Sequence, residues 1–128
     1  MKGGFAGALD YFMKSKGISE YELQDRTGIS TVSISGYRNT YDPTMEKGTV
    51  LALCKGLYLR PHEAIYLLDV ADIKLTNMTP SNIFVRILIE KHMDDTWEQW
   101  VEKLIMSGVS KDWIPARNNV VKEVKERI

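Results

Sequence analysis

A single cysteine, four prolines and no long apolar run leave several protein classes outside the reach of this 128-residue chain. Cys54 alone cannot build an internal disulfide framework and suits a reducing compartment, so the cytoplasm is the expected location. No stretch approaches the roughly 20 apolar residues that a helix needs to cross a bilayer, and no membrane role is expected. The first residues, MKGGFAGALDYFMKSKG, carry Asp10 inside their apolar part and so lack the uninterrupted core of a signal peptide. Charge of one sign is also missing. Seventeen Lys and Arg balance seventeen Asp and Glu. Residues 1–60 hold eight basic against six acidic side chains and residues 61–128 nine against eleven, a tilt too small to name a polyanionic partner by itself.

Chemistry-bearing clusters are scarce too. His62 and His92 are far apart, and neither has a second ligand at metal spacing. Asp94 and Asp95 after His92 read as helix-start charges favoured by the helix dipole. Nothing places a base, an orienting group or a phosphate loop around Cys54, which reads as a small core residue. No metal, cofactor or enzymatic activity is expected.

What is present is helical periodicity. The length suits one domain, or a small domain with a helical extension sharing its core, and the 44% hydrophobic content is that of a folding chain. Phe5, Ala8, Leu9, Phe12 and Met13 recur at helical spacing before Gly17, a left-handed stop. Ser19 precedes Glu22 by three, a capping box opening a second helix anchored by Leu23. Gly28 ends it, and Ser30 caps a third helix through Ile34 and Tyr37. After a loop over residues 39–43, Val50, Leu51, Leu53, Cys54 and Leu57 mark a fourth helix, and Pro61 with Ile65, Leu67, Leu68 and Val70 a fifth. Pro80 starts a sixth, apolar on most sides from Ile83 to Ile89. Trp97, Trp100, Val101, Leu104 and Ile105 line a seventh that stops at Gly108, its tryptophans read as core. Val120, Val121, Val124 and Ile128 define an amphipathic terminal helix. The Ser107–Ser110 stretch echoes the Gly28 turn, but Pro115 would fall within the helix that should follow, so no second motif is assigned.

Two short helices around a Gly-apolar-Ser turn cross steeply and leave the second projecting, as a helix must to enter the major groove. The stretch GISEYELQDRTGISTVSISGYRN, residues 17–39, resembles the helix-turn-helix of the phage Cro/repressor family, also called the xenobiotic-response-element family. Leu23, Gly28, Ile29, Ser30, Ile34 and Tyr37 carry the match, and VLALCKGLYLRPHEAIYLL downstream resembles the family's fourth and fifth helices. The similarity spans about residues 5–71, with Gln24 where a small residue is usual and a loop of different length after Tyr37.

The resemblance implies an all-α fold: a five-helix repressor-like DNA-binding domain over residues 1–72, then a helical C-terminal region over 73–128 for packing, dimerisation or partner binding. It implies double-stranded DNA as partner, read at bases by Thr31, Val32, Ser35 and Gly36. Phosphate contacts fall to Ser19, Glu20, Arg38, Asn39, Thr40 and Tyr41, assisted by amides at helix starts. Val32 suits a thymine methyl, and the hydroxyls pair with several bases. A homodimer repressing transcription at a palindromic operator is expected. The alternative is a protein-interaction module, an antitoxin or adaptor, gripping a partner with its C-terminal helices.

Overall fold

The computed structural model describes residues 3–40 and 43–128, and over them the protein is all-helical. Helix α1 (Gly4–Lys16) buries Phe5, Leu9, Phe12 and Met13 on one side and ends at Gly17, whose φ of 64° admits the left-handed turn. Ile18 closes that turn by donating its N–H to the Met13 carbonyl at 2.9 Å. Helix α2 (Glu20–Thr27) opens on the expected capping box: the Glu22 amide donates to Ser19 Oγ at 3.1 Å, and the Ser19 amide to Glu22 Oε1 at 3.2 Å. Helix α3 (Thr31–Asn39) starts with Ser30 Oγ accepting from the Ser33 amide at 3.1 Å.

Helices α4 (Lys47–Gly56) and α5 (Pro61–Val70) complete the first half. The second holds α6 (Pro80–Lys91), α7 (Trp97–Ser107) and α8 (Asn119–Arg127), capped by Thr79, Thr96 and Asn118. A 3-10 turn, Lys111–Trp113, precedes α8 in a stretch without helical periodicity. His92 is the residue after α6, and Asp95 pairs with Lys103 at 2.8 Å just ahead of α7.

One apolar cluster runs from Phe5 through Val50, Leu67 and Leu88 to Trp113 and Val124, so the C-terminal helices share a core with α1 to α5. Helix α4 is its axis. Every residue from Gly48 to Leu57 is buried, because α2, α5, α7 and the 3-10 turn all pack on it. Gly56 permits the α2 crossing, since a Cβ there would lie 2.4 Å from Thr27 Cγ2 and 2.6 Å from Leu23 Cδ1. Cys54 is buried, and burial pushes its thiol pKa far up, leaving it unreactive while folded.

The caps carry a pH prediction. Hydrogen bonds from the Ser19 amide and hydroxyl hold the Glu22 carboxyl below its ordinary 4.5, and the Arg60 amide, with Lys16 adding to it, does the same for Glu63. Depressed carboxylate pKa values contribute stability that is complete above 4.5 and is lost as pH falls through the folded-state values. Thermal melts should therefore show Tm dropping below about pH 4.5. The double variant Glu22→Gln, Glu63→Gln should melt lower than the parent at neutral pH and converge with it in acid; parallel curves would refute this.

Candidate nucleic-acid interface

The site is built on the turn between α2 and α3. Gly28 takes a φ of 75° and closes α2 by donating to the Gln24 carbonyl at 2.8 Å. Thr27, fully buried, bonds its hydroxyl to the Leu23 carbonyl at 2.7 Å and accepts the Ile29 amide at 3.1 Å, so the turn is pinned from inside. Gln24 is the residue that departs from the family pattern, and its place explains it. Its Oε1 accepts the Thr31 amide at 2.9 Å, tying α2 to the first residue of α3.

Ile34 anchors α3 in the core, and Tyr37 is half-buried behind it. The opposite side is the candidate reading face. Val32 is 82% exposed, and Gly36, one turn on, is also exposed, with open space where a Cβ would sit. Thr31 and Ser35 are half-buried on the flank of that face. Asn39 spans its end, donating from Nδ2 to the Ser35 carbonyl at 2.8 Å and to Ser35 Oγ at 3.3 Å. The four base-contact candidates thus lie on two adjacent i, i+4 rows of one short helix.

The phosphate candidates are divided. Ser19 is exposed at the start of α2, and Thr40 is exposed just beyond α3. Tyr41 lies outside the described residues. Glu20 and Arg38 are bound to each other, Arg38 Nη1 donating to Glu20 Oε2 at 2.9 Å. Arg38 also reaches Asp10 on α1, with Nη2 at 2.6 Å and Nε at 3.1 Å from Oδ1, and Lys14 pairs with the other Asp10 oxygen at 2.9 Å. Partial burial works against the Arg38 cation, but Asp10 and Glu20 outweigh it and hold its pKa above the ordinary value. This guanidinium therefore staples α1, α2 and α3 together, with two carboxylates beside the candidate reading face.

Sequence reasoning missed Asp10, Gln24 and, further off, Asn118. The buried Asn118 donates from Nδ2 to the Thr27 carbonyl at 2.7 Å across 91 residues of chain, and no local pattern announces a bond of that span. Tyr37 has its hydroxyl pKa pushed up by burial, and the nearby Glu46 charge adds to it.

Residues 8–69 match the family model of the Cro/C1-type HTH DNA-binding domain. No curated protein and no solved structure matches the chain. No described helix is long and apolar enough to cross a membrane. The matched segment runs from Ala8 in α1 to Asp69 in α5, so it contains the whole α2-turn-α3 unit.

Proposed function

We propose that the protein is a transcriptional repressor, a reading supported by the match of residues 8–69 to the Cro/C1-type helix-turn-helix DNA-binding domain. It binds a specific, roughly palindromic operator as a cytoplasmic homodimer, its two α3 helices about 34 Å apart in successive major grooves. Repression follows from occupying a promoter and requires no catalysis. The observation that carries this reading is the exposed Val32–Gly36 row, flanked by the Thr31 and Ser35 hydroxyls on a helix rooted by Ile34. An apolar knob beside an open notch suits a thymine methyl, and the hydroxyls suit mixed base edges. Ser19, Thr40, Asn39 and Tyr41 serve the phosphates on either side. The use of residues 73–128 to grip a partner protein has less support. Val121 and Val124 are already packed into the protein's own core, leaving Ile128 exposed.

Selection of bound duplexes from a random pool tests the proposal. An enriched motif with two related half-sites is expected, and recovery of random sequence would overturn sequence-specific binding. Gly36→Ala sharpens the test. Alanine in an open helical site should raise stability by about 0.5–1 kcal/mol, while its methyl keeps the backbone from the groove and lowers affinity for the selected duplex. Affinity rising along with stability would remove Gly36 from the interface.

A further inference from the structure

Helix α8 is fastened to the turn that introduces α3. Asn118, its N-cap, donates to the Thr27 carbonyl, and its Oδ1 accepts the Val121 amide at 3.1 Å and Trp97 Nε1 at 3.5 Å. Gly28 is the other half of the joint: a Cβ there would lie 2.9 Å from the Val120 amide nitrogen and 3.0 Å from Asn118 Oδ1. The start of α8 thus has a fixed position relative to the start of α3, although nearly 90 residues separate them.

Between the two helices runs an open cleft of about 1080 Å³. Ser30, Ser33 and Tyr37 form its wall on the α3 side. Arg117, Lys122 and Lys125 line the other wall. Val121 and Val124 turn inward to α7, which leaves the lysines, three apart and so neighbours on the helix surface, at the cleft. Arg127 is tied to Glu98 at 2.8 Å, whereas among the described residues no carboxylate lies within ion-pair distance of Arg117, Lys122 or Lys125. Asp25, Glu46, Glu123 and Glu126 also line the cleft, so four carboxylates face three cations and its net charge is −1. Such a cleft does not collect polyanions at long range. It rewards only an occupant delivered to the lysine tips.

A duplex that receives α3 in its major groove carries a sugar–phosphate strand along each flank of that helix. The α8 side is one of those flanks. Building on the DNA-binding reading above, we propose that α8 is a second DNA-contacting element, in which Lys122 and Lys125, with Arg117 at the foot of the helix, hold the strand that passes along this cleft. Because the cleft has no net positive charge, the contact depends on α3 being seated, so α8 strengthens specific binding more than non-specific binding.

The test is the salt dependence of binding by the full-length variant Lys122→Gln, Lys125→Gln, on the duplex selected by the parent. Two lost phosphate contacts should lower the slope of log K against log salt by about 1.8, with affinity down about tenfold at 0.15 M salt. On a scrambled duplex the loss should be clearly smaller. Lys91→Gln on α6, which does not line the cleft, should leave slope and affinity unchanged. A double variant with parental slope and affinity, alongside a Val32→Ala variant that still weakens binding, would overturn the α8 proposal and leave the DNA-binding reading standing. A parent that binds no duplex at all would overturn both.

Discussion

Gly48→Ala is expected to lower Tm by about 10 °C and to shift tryptophan emission to the red. A Cβ at this position would sit 2.6 Å from Pro115 Cδ, 2.7 Å from the Pro115 nitrogen and 2.8 Å from the Trp113 carbonyl carbon. Two of those three atoms are backbone, which cannot swing aside as a flexible side chain can. Alanine gains up to about 1 kcal/mol of helix propensity over glycine, but forcing atoms into a packed contact costs about 1–3 kcal/mol and the separation of the segment costs more. Trp113 is only 1% exposed, and losing a buried tryptophan costs about 3–5 kcal/mol. The protein's three tryptophans all lie in the second half, so their emission reports whether Trp113 leaves α4. Trp113→Ala should destabilise to a similar extent without needing a clash. A Gly48→Ala protein with unshifted emission and a raised Tm would mean that the segment moves aside at no cost.

The same contact marks where the sequence stopped being legible. Caps and stops are local, and the sequence announces them: Ser19 with Glu22, Ser30, Pro61, Pro80, Gly17 and Gly108 each sit at a helix end. The apolar spacing likewise located the eight α-helices of the described residues and the anchors Leu23, Ile34 and Leu67. Two left-handed helix stops were harder to read because the residues that make them are not glycine. Tyr58 with φ 54° and Asp72 with φ 62° take the left-handed position after α4 and α5, and the Arg26 guanidinium lies 4.2 Å from the centre of the Tyr58 ring. Non-local contacts were invisible. Trp113 ends a three-residue 3-10 turn too short to show a period that would reveal its burial, and the fit of Gly48 to Pro115 depends on two segments meeting in space. At the candidate site, the reading face came from the family resemblance, and the structure adds that burying Ile34 turns Val32 and Gly36 outward. The charges around it did not, because Arg38 could be placed near phosphate by sequence but its ties to Asp10 and Glu20 require the crossing of three helices.

Those ties set opposite expectations for two substitutions. Arg38→Ala removes the cation from between Asp10 and Glu20, whose side chains are 15% and 28% exposed, and takes away the guanidinium that joins the two carboxylates, with Lys14 still beside Asp10. Partial exposure screens the lost ion pairs, so the loss of stability should be about 1–2 kcal/mol rather than the larger cost of a fully buried pair. DNA affinity should fall much further, about tenfold or more on every sequence, because a cation is lost from the face while the negative charges of Asp10 and Glu20 stay there. Glu20→Gln works the other way. The amide oxygen still accepts from Arg38, so α2 and α3 stay joined, but one negative charge leaves the face. Affinity should rise severalfold at low salt, the gain shrinking as ionic strength screens the missing repulsion. Binding titrations at two salt concentrations, beside melting curves for each protein, separate the alternatives. If Glu20→Gln melts like the parent and binds DNA no better, Arg38 and its carboxylates are a structural staple remote from the duplex, and the phosphate-contacting surface must be drawn without them.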